Sequence, residues 1–216
     1  MRPAALFDMD HTVLRIDTGM SWMRYEYRRG RSGRRDVARA VYWSLLYKAA
    51  LLDMEELATR LTAGLAGQDE VALAAACADW YTRDVAHQVA VDARRAIDRH
   101  RADGDVIVLA TGSTQYAAEA VARGLGIEHV LCSRIESVGG RFTGRLTAMG
   151  FGPHKVALAE QLARELDLDL ERSTFYSDSY NDLPLLRRVG AAVAVNPDAR
   201  LRRHATRAGW RVERWS

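Results

Sequence analysis

The chain has 216 residues, 48% of them hydrophobic and 27% charged, with a formal charge of +3 and a pI of about 9.0. Such a composition is that of an ordinary globular chain, long enough to bury a full core, and the charge is too small to mark a nucleic-acid-binding face. The longest near-apolar run, residues 40–52, contains Lys48 and is shorter than the roughly 20 residues needed to span a bilayer. The start of the chain has no signal-peptide pattern, so the expected location is the cytoplasm.

In chain order, residues 3–7 form a short apolar run that ends in Asp8 and Asp10, the pattern of a buried strand meeting solvent at its carboxyl end. Residues 22–27, 37–52, 54–65, 70–89 and 92–101 then carry apolar side chains at helical spacing, punctuated by Gly30, Gly33 and Gly67. After Asp103-Gly104 the rhythm changes to strand and helix in alternation. Strands are expected at 106–110, 129–132, 174–177, 191–195 and 210–215. Helices are expected at 115–123, stopped by Gly124, at 154–166, at 182–189, and from Pro197 to about Gly209. Gly139-Gly140 and Gly144 suggest hairpin turns.

This order predicts an α/β protein: a Rossmann-like, three-layer parallel-sheet core, residues 1–16 and 100–216, with an inserted all-helical cap at 17–99. Cys77 and Cys132 are far apart and lack metal-ligand spacing, so both are expected as free, buried thiols. Only Lys48 and Lys155 are lysines against 29 arginines, which makes a lysine inside a motif informative.

Ligands of such a sheet bind beyond the carboxyl ends of its strands. Three strands here end in complementary polar groups: Asp8-Met9-Asp10-His11-Thr12, Thr111-Gly112-Ser113, and Ser177-Asp178-Ser179-Tyr180-Asn181-Asp182. Lys155 opens the helix between the last two. Carboxylates that converge repel one another, and a hard cation with oxygen ligands relieves them. Asp8, Asp178 and a backbone carbonyl near Asp10 would suit Mg²⁺. Lys155 would balance the remaining charge, while Thr111 and Gly112, ahead of a helix, would cradle a phosphate. Asp8 could then attack phosphorus, and Asp10 could protonate the leaving oxygen and later activate water.

On these residues the chain resembles the haloacid dehalogenase superfamily, in its phosphatase branch with a helical cap after the first strand. The phosphoserine-phosphatase-like subgroup is the nearest in pattern. Its first motif falls on Asp8, Asp10, Thr12 and Val13, its second on Thr111, its lysine on Lys155, and its acidic motif on Asp178, Asn181 and Asp182. The resemblance implies a phosphatase with Asp8 as nucleophile, Asp10 as general acid and base, and Asp8 and Asp178 as Mg²⁺ ligands. It further implies that Asp182 orients metal-bound water or Lys155, and that Asn181 reaches the phosphoryl group. A phosphomutase or a non-catalytic phosphate-binding module of the same fold are alternatives. Asp10 argues against a dehalogenase.

Residue 11 departs from many relatives in being His, and Asp-x-Asp-His-Thr is familiar from a subgroup that includes histidinol-phosphate phosphatases. His11, His154 and Tyr180 are expected to be positional. Asp17 lies about where phosphoserine phosphatases bind the substrate ammonium, whereas their carboxylate-binding arginine position falls on Leu61, one residue from Arg60. A small amino-alcohol phosphate, histidinol phosphate or phosphoserine, is the expected substrate class. Arg28, Arg29, Arg31, Arg34 and Arg35 precede an aromatic run at residues 41–47, which raises the alternative of a lipid phosphate and a peripheral membrane contact.

Overall fold

The computed structural model describes residues 1–35, 38, 41–42 and 54–216. The expected helix at 37–52, apart from residues 38, 41 and 42, lies outside the described residues, and with it most of the aromatic run.

Strand β1 (Ala4–Phe7) is buried at every residue because its alternating side chains serve both faces of a sheet. Ala5 and Phe7 join one apolar cluster and Ala4 and Leu6 the other. The remaining strands are β2 (Val106–Thr114), β3 (His129–Val138), β4 (Arg141–Ala148), β5 (Thr174–Ser177), β6 (Ala191–Val195) and β7 (Arg211–Glu213). Among the described residues they form one seven-stranded sheet in the order β4-β3-β2-β1-β5-β6-β7. All neighbours are parallel except β3 and β4, a hairpin turned by Gly139 and Gly140 at φ 59° and 76°.

Helices cover both faces, giving the expected three layers. On one face lie α4 (Val91–Ala102) and α5 (Gln115–Leu125). On the other lie α6 (Pro153–Leu166), α7 (Leu183–Arg188) and α8 (Ala199–Ala208). Before α4, the chain between β1 and β2 forms α1 (Thr18–Arg28), α2 (Met54–Ala63) and α3 (Glu70–Trp80).

Three local expectations change. The helix expected over 70–89 ends at Trp80 and continues as a π turn, Tyr81–Val85, and a tighter turn, Ala86–Gln88, which let Val85 and Val89 reach the core. Gly124 does not stop α5; the helix runs on to the left-handed Gly126. Gly124 instead admits the Tyr81 side chain, since a Cβ there would meet its hydroxyl at 1.8 Å. Gly144 is not a turn either. It sits within β4 at φ 84°, and a Cβ would press on Ala66 and Ala63 at 3.1 and 3.3 Å.

The expected domain boundary at 99/100 falls inside α4, whose Ala93, Ala96 and Ile97 share one cluster with Phe7 and Leu109 of the sheet. The segment between α2 and α3 is fastened to the β3-β4 hairpin. Gly67 N–H donates to Phe142 O, Phe142 N–H to Gln68 O and Glu70 N–H to Gly140 O, at 2.8, 3.1 and 2.9 Å. The Glu70 carboxylate accepts from Tyr116 of α5 and Ser137 of β3 at 2.8 and 2.5 Å. Cys77 and Cys132 are buried and free, as expected.

Candidate active site

The carboxyl ends of β1, β2 and β5 and the start of α6 meet at one edge of the sheet. Phe7 stacks flat on Tyr176 with ring centroids 4.7 Å apart, and Asp8 N–H donates to Tyr176 O at 2.9 Å. These contacts set β1 and β5 level, so Asp8 and Asp178 emerge together.

Lys155 joins this edge from the opposite layer. It stands in the first turn of α6, after Gly152 at φ 56° and Pro153, and it is 2% exposed. Its Nζ donates to Asp8 Oδ1 at 3.0 Å and lies 2.7 Å from Asp182 Oδ1, with the Phe175 ring 5.6 Å away. Asp182 Oδ2 accepts from Ser177 Oγ at 2.7 Å. Both oxygens of Asp182 are therefore engaged by the protein, one by Lys155 and the other by Ser177.

Asp10 is gripped from the insert: Thr18 donates its N–H to Oδ1 at 3.1 Å and its hydroxyl to Oδ2 at 3.0 Å. The Thr18 hydroxyl also lies 3.2 Å from Ser113 Oγ, which links β1, the insert and the end of β2. Asp17 caps α1 by accepting from Met20 N–H at 2.8 Å, and its charge bears on Asp10.

Thr111 is buried, and the strand expected to stop at Ala110 runs past it. Strand β2 runs to Thr114, and its pairing with β3 shifts register between Ala110 and Thr114. The expected anion site is thus a strand bulge with Gly112 exposed on it, three residues before α5. Thr111 Oγ1 accepts from Ser113 N–H at 3.2 Å, and Ser133 Oγ braces the bulge by donating to Gly112 O at 2.9 Å.

The electrostatics separate the acids. Burial pushes the Asp8 carboxyl up to about 6; Lys155 opposes the rise and Asp182 adds to it. Loss of water pushes Asp10 up to about 8, with repulsion from Asp17 and Asp8 outweighing the two Thr18 hydrogen bonds. Asp178 is raised well above the carboxylate range, first by loss of water and then by Asp8, Asp182, Asp10 and Asp198. Burial disfavours the charge on Lys155, yet Asp182 and Asp8 prevail and hold it above the ordinary lysine value. No three or more His, Cys, Asp or Glu side chains form a complete metal cage among the described residues. Mg²⁺ needs no such cage: one or two carboxylates suffice when water and substrate complete the shell. The over-negative, all-oxygen set around Asp8 and Asp178 has the chemistry for a hard cation.

Asn181 lies two residues after Ser179, whose hydroxyl accepts the Asn181 N–H at 3.2 Å, and is half-buried beside Asp182. Arg60 pairs with Glu56 on an exposed face of α2, with its side chain 75% exposed. Arg28, Arg29 and Arg31 pair with Asp84, Asp79 and Glu26, and these pairings neutralise part of the basic cluster. A cleft of about 400 Å³ among Tyr25, Arg28, Arg29, Asp79, Arg83 and Asp84 is lined by none of the aspartates at the strand ends. His154 ties the core to the insert, its Nε2 lying 2.8 Å from Glu55 Oε1.

Thr18, Ser113 and Ser177 had no role assigned from sequence. The Asp17-Thr18 pair carries an N-cap signature, but the second partner of Thr18 is visible only in three dimensions.

The chain matches the haloacid dehalogenase-like hydrolases over residues 5–187. A phosphoserine phosphatase of Mycobacterium tuberculosis is 35% identical over 214 residues, 97% of this chain and 70% of the relative. A histidinol-phosphatase of Neisseria meningitidis is 28% identical over 218 residues, 98% of each protein. The structure of a protein of unknown function from Bordetella pertussis superposes with a TM-score of 0.87 at 33% identity, covering 99% of this chain and 98% of that one. With the sheet order, the four converging segments and these relatives in agreement, the chain belongs to the haloacid dehalogenase-like hydrolases, as a phosphoric monoester hydrolase of the phosphoserine-phosphatase-like group.

Proposed function

We propose that this phosphatase hydrolyses a small phosphate monoester with Mg²⁺ bound, transferring the phosphoryl group to Asp8 beneath a cap formed by the helices ahead of α4. The observation that carries the reading is the contrast between two neighbouring acids. Asp8 is paired with the Lys155 ammonium, which favours the charged, attacking form; Asp10 is held by the neutral Thr18 and pushed up to about 8, which favours its protonated form. Two carboxyl groups driven apart in this way divide the work into nucleophile and acid.

Asp8 and Asp178, with a carbonyl near Asp10, would hold the metal. Bound Mg²⁺ would supply countercharge for the phosphoryl oxygens and align them. Thr111, Gly112, Lys155 and Asn181 would receive the remaining phosphoryl oxygens. Asp10, aimed by Thr18, would give its proton to the leaving oxygen and take one from the water that frees Asp8. Asp182 would act through Lys155.

For the substrate, Asp17 favours an amino-alcohol phosphate, the class to which the substrates named by both curated relatives belong. Asp17 stands next to Thr18 and close enough to act on Asp10, where a substrate ammonium would find a carboxylate. The lipid-phosphate alternative has less support, because Arg28, Arg29 and Arg31 already have acidic partners. No described helix is long and apolar enough to cross a membrane. The free thiols of Cys77 and Cys132 fit a reducing, cytoplasmic setting.

The test is phosphate release with Mg²⁺ from a panel of amino-alcohol phosphates, phosphoserine, sugar phosphates, nucleotides and lysophosphatidate. Asp8→Asn should lose activity by roughly 10⁴-fold or more while keeping its fold. Full activity in that variant, or in excess chelator, would sink the proposal. Transfer of phosphate between positions of the substrate without release would identify a mutase.

A further inference from the structure

The loop after β6, Asn196-Pro197-Asp198, contains no residue of the four motif segments, yet it is bonded to both acid-bearing loops. Asn196 Nδ2 donates to His11 O at 3.4 Å, in the loop that joins Asp8 and Asp10 to the insert. The same amide is anchored below: Nδ2 donates to Trp215 O at 3.2 Å, and Oδ1 accepts from Trp215 N–H at 3.1 Å. Trp215 in turn packs against Tyr176 of β5, with ring centroids 5.2 Å apart. Two residues on, Asp198 N–H donates to Asp178 O at 2.9 Å, and Asp198 Oδ2 accepts from Tyr180 N–H at 2.7 Å. Its other oxygen caps α8 through Arg200 and Leu201 N–H at 2.7 and 2.8 Å.

We propose that Asn196 and Asp198 are positioning residues that hold the Asp8–Asp10 loop and the Asp178 loop at a fixed separation. This inference rests on the assignment of Asp8 and Asp178 made above. Two features argue that the ties are selected for geometry. His11 and Asn196, which are bonded to each other, both sit at positive φ, 53° and 44°, a conformation uncommon outside glycine. Asn is among the few residues that accept it, and its carboxamide offers both a donor and an acceptor to bridge two backbones. Asp198 adds its charge to the repulsion already felt by Asp178. On charge alone the position is unfavourable; its value lies in the accepted Tyr180 N–H and the cap of α8. The Tyr180 ring is also held, with the Arg200 guanidinium 4.3 Å from its centroid.

The two acid loops follow adjacent strands, β1 at the centre of the sheet and β5 beside it, and Asp8 and Asp10 repel Asp178 between them when ionised. A misplacement of about 1 Å in such a constellation costs on the order of 100-fold in rate.

Asn196→Gly removes the carboxamide while suiting the positive φ. Asp198→Asn keeps one oxygen for the helix cap and loses the acceptor for Tyr180 N–H. With p-nitrophenyl phosphate and saturating Mg²⁺, each should lower kcat about 10- to 100-fold with KM within about two-fold, and with Tm within about 4 °C of the parent. Amide exchange at residues 9–13 in Asn196→Gly and at 178–182 in Asp198→Asn should quicken about ten-fold, a readout that needs no turnover. Should Asn196→Gly fail to fold, Asn196→Asp retains the acceptor for Trp215 N–H, loses the donor to His11, and should show the same loss of kcat. Wild-type kcat with unchanged exchange in folded variants overturns the inference, as does a fall in Tm alone. Asp8→Asn run in parallel separates the two failures. If it stays active, the assignment of the site fails; if it is dead while the loop variants match wild type, only the brace fails.

Discussion

Thr18 holds the Asp10 carboxylate by both oxygens, its amide on Oδ1 at 3.1 Å and its hydroxyl on Oδ2 at 3.0 Å. Thr18 is the first residue of α1, so the acid proposed to protonate the leaving group is aimed by the start of the insert. Thr18→Val keeps the amide contact and loses the hydroxyl. Steady-state kinetics should show kcat lowered about 10- to 100-fold with KM nearly unchanged, a part of the 10²–10⁴ that general acid–base catalysis supplies. An unchanged kcat would mean that Asp10 is aimed by its own backbone.

Metal-free protein should lose stability as pH rises. Asp8 and Asp10 have folded-state values of about 6 and 8, both above the ordinary 3.8. The folded state therefore binds more protons than the unfolded state through this interval, and unfolding free energy falls with pH. In chelator, Tm should drop between about pH 4 and pH 8, the window set by these two values. Mg²⁺ binds the ionised form and should raise Tm more at pH 8 than at pH 5. A chelated Tm that climbs across this range would contradict the placement of the acids.

Lys155→Met leaves Asp8 and Asp182 facing each other without the cation that now bridges them at 3.0 and 2.7 Å. Removing one partner of a buried ionic cluster costs about 3–5 kcal/mol. Denaturant unfolding should show the loss, larger at pH 8 than at pH 5, because protonation relieves the stranded carboxylates. Activity should vanish at either pH.

Gly150 allows the chain to pass against the end of β2: an added Cβ would lie 2.2 Å from Thr111 O and 2.9 Å from Cys132 Cα. Gly190 is equally confined but far from the acids, with a Cβ 1.7 Å from Glu171 O. Gly150→Ala and Gly190→Ala should both destabilise, by about 3 kcal/mol or more, since neither clash is with a flexible side chain. Only Gly150→Ala should also lower kcat in the folded fraction, by shifting Thr111. Melting curves and activity at a temperature below both transitions would separate the two effects.

The fold class was legible because apolar residues switch from helical spacing to short buried runs at about residue 105. Strands β5 and β6 fall on residues 174–177 and 191–195, as read from the pattern. Expectations failed where a local signal served a tertiary purpose. Gly124 reads as a helix stop but makes room for Tyr81, and Gly144 reads as a turn but lets α2 approach β4. The strand ahead of Thr111 reads as ending at Ala110, yet β2 bulges on to Thr114. Arg60, adjacent in sequence to a substrate position of relatives, lies on an exposed helix face, where one residue of offset is a rotation of about 100°.

The sequence by itself determined which groups gather at the strand ends. Asp8, Asp10, Lys155 and Asp178 follow apolar strands or open a helix, and parallel strands of one sheet must deliver such ends to the same edge. Only the tertiary structure decided how each acid is held: Asp8 on Lys155, Asp10 in the grip of Thr18, Asp182 turned to Lys155 and Ser177, and both acid loops braced by Asn196 and Asp198. Those partners come from segments up to 185 residues apart. Their meeting depends on strand order and register, and side-chain contacts of that kind leave no periodic trace along the chain.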